Sequence, residues 1–581
     1  MRSLTIVLLF HLSVSVYSQQ NLQTKFEKSG GSETVTYKEG IEYWTKLANQ
    51  FEQVSLLKMG LTDSGEPLHL IIYNTDKVFD ISNIHESNKP VILINNAIHA
   101  GEPDGVDASM MLIRNFAQNK SLYPYLKDII IAIVPFYNIG GVLNRNNSSR
   151  VNQNGPEAYG FRGNARNYDL NRDFIKMDSK NAFSLVEIIK QLDPEVFVDT
   201  HVTNGSDHQH VLTLISTQHN KLGGQLGVYL EDTFEAEVFG SLREKDRSPV
   251  VYVNVHGRSP NEGWVQFWDA ARYSSGYAAL KQTIGFISES HMWKPYKKRV
   301  ENTYDYLEVM VSLTAKNSAL IQEKRLIDRE QLLKADSLPI AWENNRAQFR
   351  MVTLKGFETS NPVNDLTGNP LLYYNREEPI EKEVPFYNEY DVSAKVKVPD
   401  YYIIPKVWAK VIERLSANGV NMIALQKDST IEVETYTISD YQTVSAAYEG
   451  HYLHYSTKTT VELKQITFRK GDLIVPTKQL AKRYLVEVLE PSSQDSFFNW
   501  NFFDTILQQK EGFSDYVFAE KAPAILKSLS IEQREEFKAM KHSDSEFAKS
   551  NFRQLDWIYK KSTHYEATHL SYPIYRYSSN E

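Results

Sequence analysis

The chain contains no cysteine. That excludes a disulfide framework and closes the bacterial lipoprotein route, so stability must come from large cores. For an exported chain it points to a periplasm or a bacterial exterior. Basic charge is not in excess either. The 64 Lys and Arg stand against 72 Asp and Glu, a net charge of −8, which argues against nucleic acid as the partner. Behind the first residues no apolar run approaches the length of a bilayer span. There is no internal repeat and no low-complexity tract, and Asn-x-Ser sequons such as those at Asn119 and Asn146 read as chance matches. What is present is the composition of an ordinary globular protein, 41% hydrophobic and 23% charged.

Residues 1–18 read as a cleavable export signal. Arg2 is followed by the short apolar core LTIVLLF, and Val16-Tyr17-Ser18 offers a cleavage site with small residues at its first and third positions. The mature protein is therefore expected to be secreted or periplasmic, without stable membrane insertion. The 581-residue length suggests about two to four domains. Residues 37–51 have helical apolar spacing, and 54–74 read as two strands joined by a Gly-containing turn. VILINNAI and DIIIAIVPFYN are continuous apolar strands of the kind covered on both faces. Helices are expected over 106–119 and 179–192, with further strands at EVFVDTHV and TIGFISES. A long polar stretch, about Gly140 to Arg166, has the length of a functional loop.

Strands alternating with helices predict an α/β fold, with a mixed, largely parallel central sheet flanked by helices. The pattern turns helical from about Asn302 to Asp336, and Leu338-Pro339 breaks it. This predicts a domain over 19–337 and a separate α+β C-terminal domain over 338–581. In the latter, 405–419 reads as an amphipathic helix (Val407, Trp408, Val411, Ile412, Leu415) closed by Asn418-Gly419. VNMIAL, IEVETYTI and TTVELKQITF read as strands, TKQLAKRYLVEVLEP as a helix and SFFNWNFFD as core. This region is expected to pack on the first domain and narrow its cleft.

The chemistry lies at strand ends. His99-Ala-Gly-Glu102 closes the apolar run PVILINNAI, and His201 follows EVFVDT at the end of another. Open α/β sheets place their sites there. Two histidines and a glutamate form a known catalytic zinc set that keeps a fourth position for water. His208 and His210 are rival ligands close by.

The pattern HxxE, a long spacer and a single His resembles that of the zinc metallocarboxypeptidase family, carboxypeptidase A type. Three further segments resemble the family in the right order: GLTDSGEPLHLI at 60–71, Asp169-Leu170-Asn171-Arg172-Asp173-Phe174, and Phe286-Ile287-Ser288-Glu289. The resemblance spans roughly residues 38–325. Only Asp173 departs, where the family usually has Asn.

The resemblance implies a carboxypeptidase-like fold and one zinc ion on His99, Glu102 and His201. It implies Glu289 as general base and acid, Asp169 as the carboxylate orienting the first zinc histidine, and Asn171 with Arg172 as the pair that binds the substrate's free carboxylate. Arg150 is implied as the oxyanion partner, with Arg145 and Arg162 as alternatives. Tyr277 is implied as the capping tyrosine, with Tyr273 as the alternative. His291 either tunes the site or packs beside it. No acid stands in SSGYAALKQTIG, the stretch expected to line the side-chain pocket, so a neutral or apolar terminal residue is expected. The partner is then a peptide with a free C-terminal carboxylate. Two other readings remain at this point: an amidase or peptidase of peptidoglycan peptides, and a catalytically inactive peptide- or glycan-binding protein.

Overall fold

The computed structural model describes residues 22–579; the expected export signal lies outside them. Eight strands form the central sheet: β1 (Val54–Leu61), β2 (Pro67–Tyr73), β3 (Val91–Asn95), β4 (Ile130–Val134), β5 (Val196–Thr203), β6 (Leu212–Ser216), β7 (Val250–Val251) and β8 (Ile284–His291). Their order is β1-β2-β4-β3-β5-β8-β6-β7. The centre, β4-β3-β5-β8, is parallel, while β1 joins β2, β2 joins β4 and β6 joins β8 antiparallel, and β7 lies parallel to β6 at the edge. The sheet is mixed with a parallel heart, as the alternating pattern predicts.

Every residue of β3 and β4 is buried, because helices cover both faces. Side chains alternate across the pleat. Ile92, Ile94, Ile131 and Ile133 enter one core, with helices Tyr37–Gln50, Asp104–Gln118 and Tyr296–Lys316. Val91, Leu93, Ile130 and Ala132 enter the other, with helices Lys180–Leu192 and Ser274–Leu280. Local signals fix the helix starts. Thr36 and Glu39 form a capping box, and Ser179 caps the helix that follows it.

The C-terminal region begins with the strand Ser337–Asn344 and builds sheets of its own. The largest has six strands, ordered Ile423–Ala424, Leu473–Pro476, Tyr401–Ile404, Tyr575–Tyr577, Ser429–Thr443 and His454–Phe468. One small cluster, Ile403, Val433 and Phe468, is its own, but most of its core is shared. Tyr402, Val411, Tyr484, Phe497, Phe498, Trp500 and Phe503 belong to the same buried cluster as Val91, Leu93 and Leu185. SFFNWNFFD is thus core, as expected. The helix expected over 405–419 runs from Ala409 to Ala417, leaving Val407 outside it and 76% exposed. VNMIAL contributes only the two-residue strand Ile423–Ala424. A helical tail over 515–560 closes around a small cluster of its own, including Phe518, Phe537 and Phe547. No helix among the described residues is long and apolar enough to cross a membrane.

Candidate metal centre and active site

His99 and Glu102 lie on one turn, where the Glu102 N–H donates to the His99 carbonyl at 2.9 Å. The turn leads from β3 into the helix at Asp104. Gly105 permits the close approach, since a Cβ there would fall 2.0 Å from Thr200 Oγ1. His201 arrives from the neighbouring β5, two residues past Asp199, which is in register with Asn95. The three donors converge: His201 Nδ1 is 3.1 Å from His99 Nδ1 and 3.2 Å from Glu102 Oε2, and His99 Nδ1 is 3.3 Å from Glu102 Oε1. All three residues are buried.

The far nitrogens are anchored. His99 Nε2 lies 2.9 Å from Asp169 Oδ1, and His201 Nε2 lies 3.0 Å from Asp199 Oδ2. A carboxylate on each Nε2 fixes the ring tautomer and aims the Nδ1 lone pair at the common point. Burial works to raise the Glu102 carboxyl, but Arg150 and His99 hold it well below the usual carboxylate range. Asp169 is likewise depressed against its burial, by His99, Arg172 and Arg162. Two imidazoles and one anionic carboxylate, each backed by a second polar partner, fit a catalytic zinc. His99, Glu102 and His201 form a group of metal-binding type.

Asp199 was not singled out by the sequence analysis. Its signal is there, a lone acid in the apolar strand Val196–Thr203. Period-2 geometry puts it on the same side as His201.

The metal centre opens into a cavity of about 500 Å³. Glu289 stands on its wall, paired across the β5–β8 register with His201. Burial, with Glu102 nearby, pushes its carboxyl up to about 7, although His201 opposes the shift. Asn171 and Arg172 also line the cavity, on the short turn after Asp169. Asn171 Oδ1 accepts the Ser274 N–H at 3.0 Å, so its NH₂ is the donor left for the cavity. Arg172 pairs with Asp169 at 3.1 Å and lies over the Tyr273 ring, 5.0 Å from its centre.

The long polar loop supplies two further guanidinium groups. Arg150 donates to Glu102 Oε1 at 2.8 Å and to the Val202 carbonyl at 3.2 Å. Arg162 pairs with Asp169 at 2.8 Å and lies 3.7 Å from Glu102. Arg145 is elsewhere, donating to the Thr34 and Val35 carbonyls at 2.8 and 3.0 Å.

Tyr277 requires correction. It is fully buried in the second core, packed on Phe174, and its hydroxyl donates to Asn418 at 2.6 Å. It cannot cap a substrate. The helix Ser274–Leu280 starts just after Tyr273, so Tyr277 falls one turn inside it and faces the core. Tyr273 lines the cavity instead, edge-on to Phe267. His208, His210 and His291 are not ligands. They pack together outside the cavity, the rings of His208 and His291 being 4.4 Å apart. Asp173 is also outside it. Its carboxylate accepts from Lys176 at 2.7 Å and from the Ser179 hydroxyl at 2.6 Å, locking the turn into helix Lys180–Leu192. Ile215, Tyr252, Phe267 and Ile287 also line the cavity wall, and of these only Ile287 lies in a segment that the sequence marks.

A His–Glu–His group at the ends of parallel strands, with a carboxylate behind each imidazole, is a donor set that fits a hydrolytic zinc. Residues 41–306 match the family model described as zinc carboxypeptidase. This segment of the chain, 266 of the 581 residues, is similar to that family. Solved structures similar to part of it include a putative carboxypeptidase A from Shewanella denitrificans, 15% identical over 49% of this chain and 69% of that one, with a TM-score of 0.37. A metallo-carboxypeptidase from Burkholderia cenocepacia is 15% identical over 49% of this chain and 70% of that one, TM-score 0.36. The carboxypeptidase A of Helicoverpa armigera is 14% identical over 48% and 74%, TM-score 0.37. No curated protein matches the chain.

Proposed function

We propose that this protein is an exported zinc carboxypeptidase that removes a single residue from the free C-terminus of peptides. One observation carries the reading: the His99–Glu102–His201 centre, Glu289 and the Asn171–Arg172 pair all face one cavity. Zinc held by His99, Glu102 and His201 would supply a Lewis acid that acidifies water and polarises a carbonyl. Glu289, with its carboxyl near neutrality, takes a proton from the attacking water and returns it to the leaving amine. Arg150, beside Glu102, offers a positive charge to the developing oxyanion, and Arg162 flanks it. Arg172 and the Asn171 NH₂ bind the terminal carboxylate, which selects an exopeptidase substrate.

Glu102 and Glu289 are the only acids lining the cavity among the described residues, whereas Ile215, Ile287 and Phe267 are apolar. This supports a neutral or apolar terminal side chain over Lys or Arg. Residues 1–18 support export.

The test is peptide-library digestion read by mass, with zinc and with chelator, alongside murein fragments. Loss of single C-terminal residues is expected, together with a fall of about 10²–10⁴-fold in kcat for Glu289→Gln with KM little changed. Murein-only cleavage would replace the peptide reading. Absence of any zinc-dependent product would favour a binding role.

A further inference from the structure

The C-terminal region reaches the carboxylate-binding side of the cavity. Its residues Tyr448 to His451 form a tight turn closed by bonds of 2.7 and 3.0 Å between Tyr448 and His451. Both central residues are left-handed, Glu449 at φ 51° and Gly450 at φ 82°. Such turns favour Asn or Asp followed by Gly, so a glutamate at the first position is unusual.

The turn is docked on the segment that carries Asp169 and Arg172. Glu449 Oε2 accepts the Asp169 backbone N–H at 2.8 Å. His451 Nε2 bonds Asp178 at 2.7 Å. Tyr448 interacts with the Arg172 guanidinium and helps hold it charged. Trp500 holds the turn from behind, stacked on Tyr448 with ring centres 6.1 Å apart and meeting the His451 ring at 5.5 Å. Asp495 in turn fixes Trp500 and Arg272, at 3.0 and 2.8 Å.

We propose that this turn is the outer support of the carboxylate subsite, with Glu449 and Tyr448 as positioning residues that act through Asp169 and Arg172. The inference rests on the carboxypeptidase reading and extends it to the C-terminal region. The Asp169 N–H donates to Glu449, while the Asp169 carboxylate orients both His99 and Arg172. A shift of that backbone therefore misplaces the guanidinium. Tyr448 adds a second restraint on the same guanidinium, from the C-terminal region. The subsite is thus assembled from two regions of the chain, and affinity for the terminal carboxylate depends on the distal one.

The test uses the full-length, zinc-loaded protein and reads KM and kcat on a peptide with an apolar terminus. Calorimetry with benzylsuccinate serves as a turnover-independent carboxylate probe. Glu449→Gly suits the left-handed backbone but deletes the acceptor, and Glu449→Gln keeps an acceptor. Glu449→Gly and Tyr448→Phe should each raise KM and the benzylsuccinate Kd by about tenfold, the size of a hydrogen bond to a charged group. Thermal midpoint and kcat should change little, and Glu449→Gln should stay close to wild type. Unchanged KM and Kd in Glu449→Gly and Tyr448→Phe would overturn the inference. So would a loss confined to thermal stability, or a Glu449→Gln variant as impaired as Glu449→Gly. Absence of wild-type turnover with carboxylate binding intact would sink the proposed activity alone. Intact turnover with insensitive variants would sink this inference alone.

Discussion

The region around the metal centre and the C-terminal region bury their strands in opposite ways. Strands β3 and β4 are buried along their whole length, between helices on both faces. The hairpin strand His454–Phe468 is mostly exposed, touching the interior mainly near its ends. Polar chemistry in the first region sits at the ends of rigid strands, where His99, His201 and Glu289 converge. In the second, the groups that approach the cavity lie on a two-residue turn, held by Trp500 and Asp495. A fully buried parallel sheet fixes a metal site by its own packing, whereas a half-exposed hairpin needs a partner to fix its tip. Here the partner is the region around the metal centre, and the second core is common to both regions. A boundary that is sharp in sequence texture is therefore absent from the packing.

Cutting the chain there gives the largest expected effect. A fragment ending near residue 336 would lose Tyr402, Tyr484, Phe497, Phe498, Trp500 and Phe503 from the core that covers Val91, Leu93 and Leu185. Each such side chain contributes about 1.5–3 kcal/mol on burial. Together they rival the whole stability of a typical domain, about 5–15 kcal/mol. The fragment should show no cooperative melt and should bind a hydrophobic dye, as read by near-UV circular dichroism and dye fluorescence. A sharp melt with zinc binding retained would restore the picture of two independent domains.

Acid should loosen the same seam from another side. His210 Nδ1 donates to the Ser248 carbonyl at 2.8 Å, and its Nε2 accepts the Lys355 N–H from the strand Arg350–Ser360 at 3.0 Å. Protonation removes that acceptor. His291 is also neutral, with Nε2 donating to the Ser206 carbonyl at 3.1 Å and Nδ1 accepting the Trp293 N–H at 3.2 Å. Burial first, then Lys355 and Lys294 at His210 and Lys294 at His291, bring both down from 6.5 to about 4, with Asp207 opposing at His291. The unfolded chain binds more protons than the folded one between these values, so stability rises with pH across that window. The contribution is complete above about pH 6.5 and lost towards pH 4, at most about 3 kcal/mol for each imidazole. Thermal midpoints in saturating zinc should fall over this range, and His210→Asn should flatten the slope. An equal slope in the variant would exclude His210 as the sensor.

The sequence carried the parallel heart of the fold because VILINNAI and DIIIAIVPFYN are continuous apolar runs between amphipathic helices. It carried the metal triad because VILINNAI runs into His99 and Glu102, and EVFVDT runs into His201. Asp199 was equally visible, a charge in an otherwise apolar strand. Tyr273 and Tyr277 were not separable. They differ by one helical turn, and the sequence does not show where that helix begins. Asp173 departs from the family pattern within the motif, yet its carboxylate answers a local demand from Lys176 and Ser179. Glu449 had no visible role, since its partner Asp169 is 280 residues away.

Asp169 and Asp199 bring the comparison down to one pair of side chains. Both orient a metal-binding imidazole. Asp199 is fixed within the sheet by Asn95 Nδ2 at 3.0 Å, whereas Asp169 has its backbone held by Glu449 of the C-terminal region. Asp199→Asn and Asp169→Asn should each weaken zinc binding by about 10–100-fold, measured by competition with a chelating dye. Groups in one network couple, and distant ones add. Glu449→Gly should therefore be non-additive with Asp169→Asn in zinc affinity and additive with Asp199→Asn. Additivity in both pairs would mean that the C-terminal turn supports the carboxylate subsite without reaching the metal. Coupling to Asp199 as well would mean that the two regions act on the centre as one rigid body.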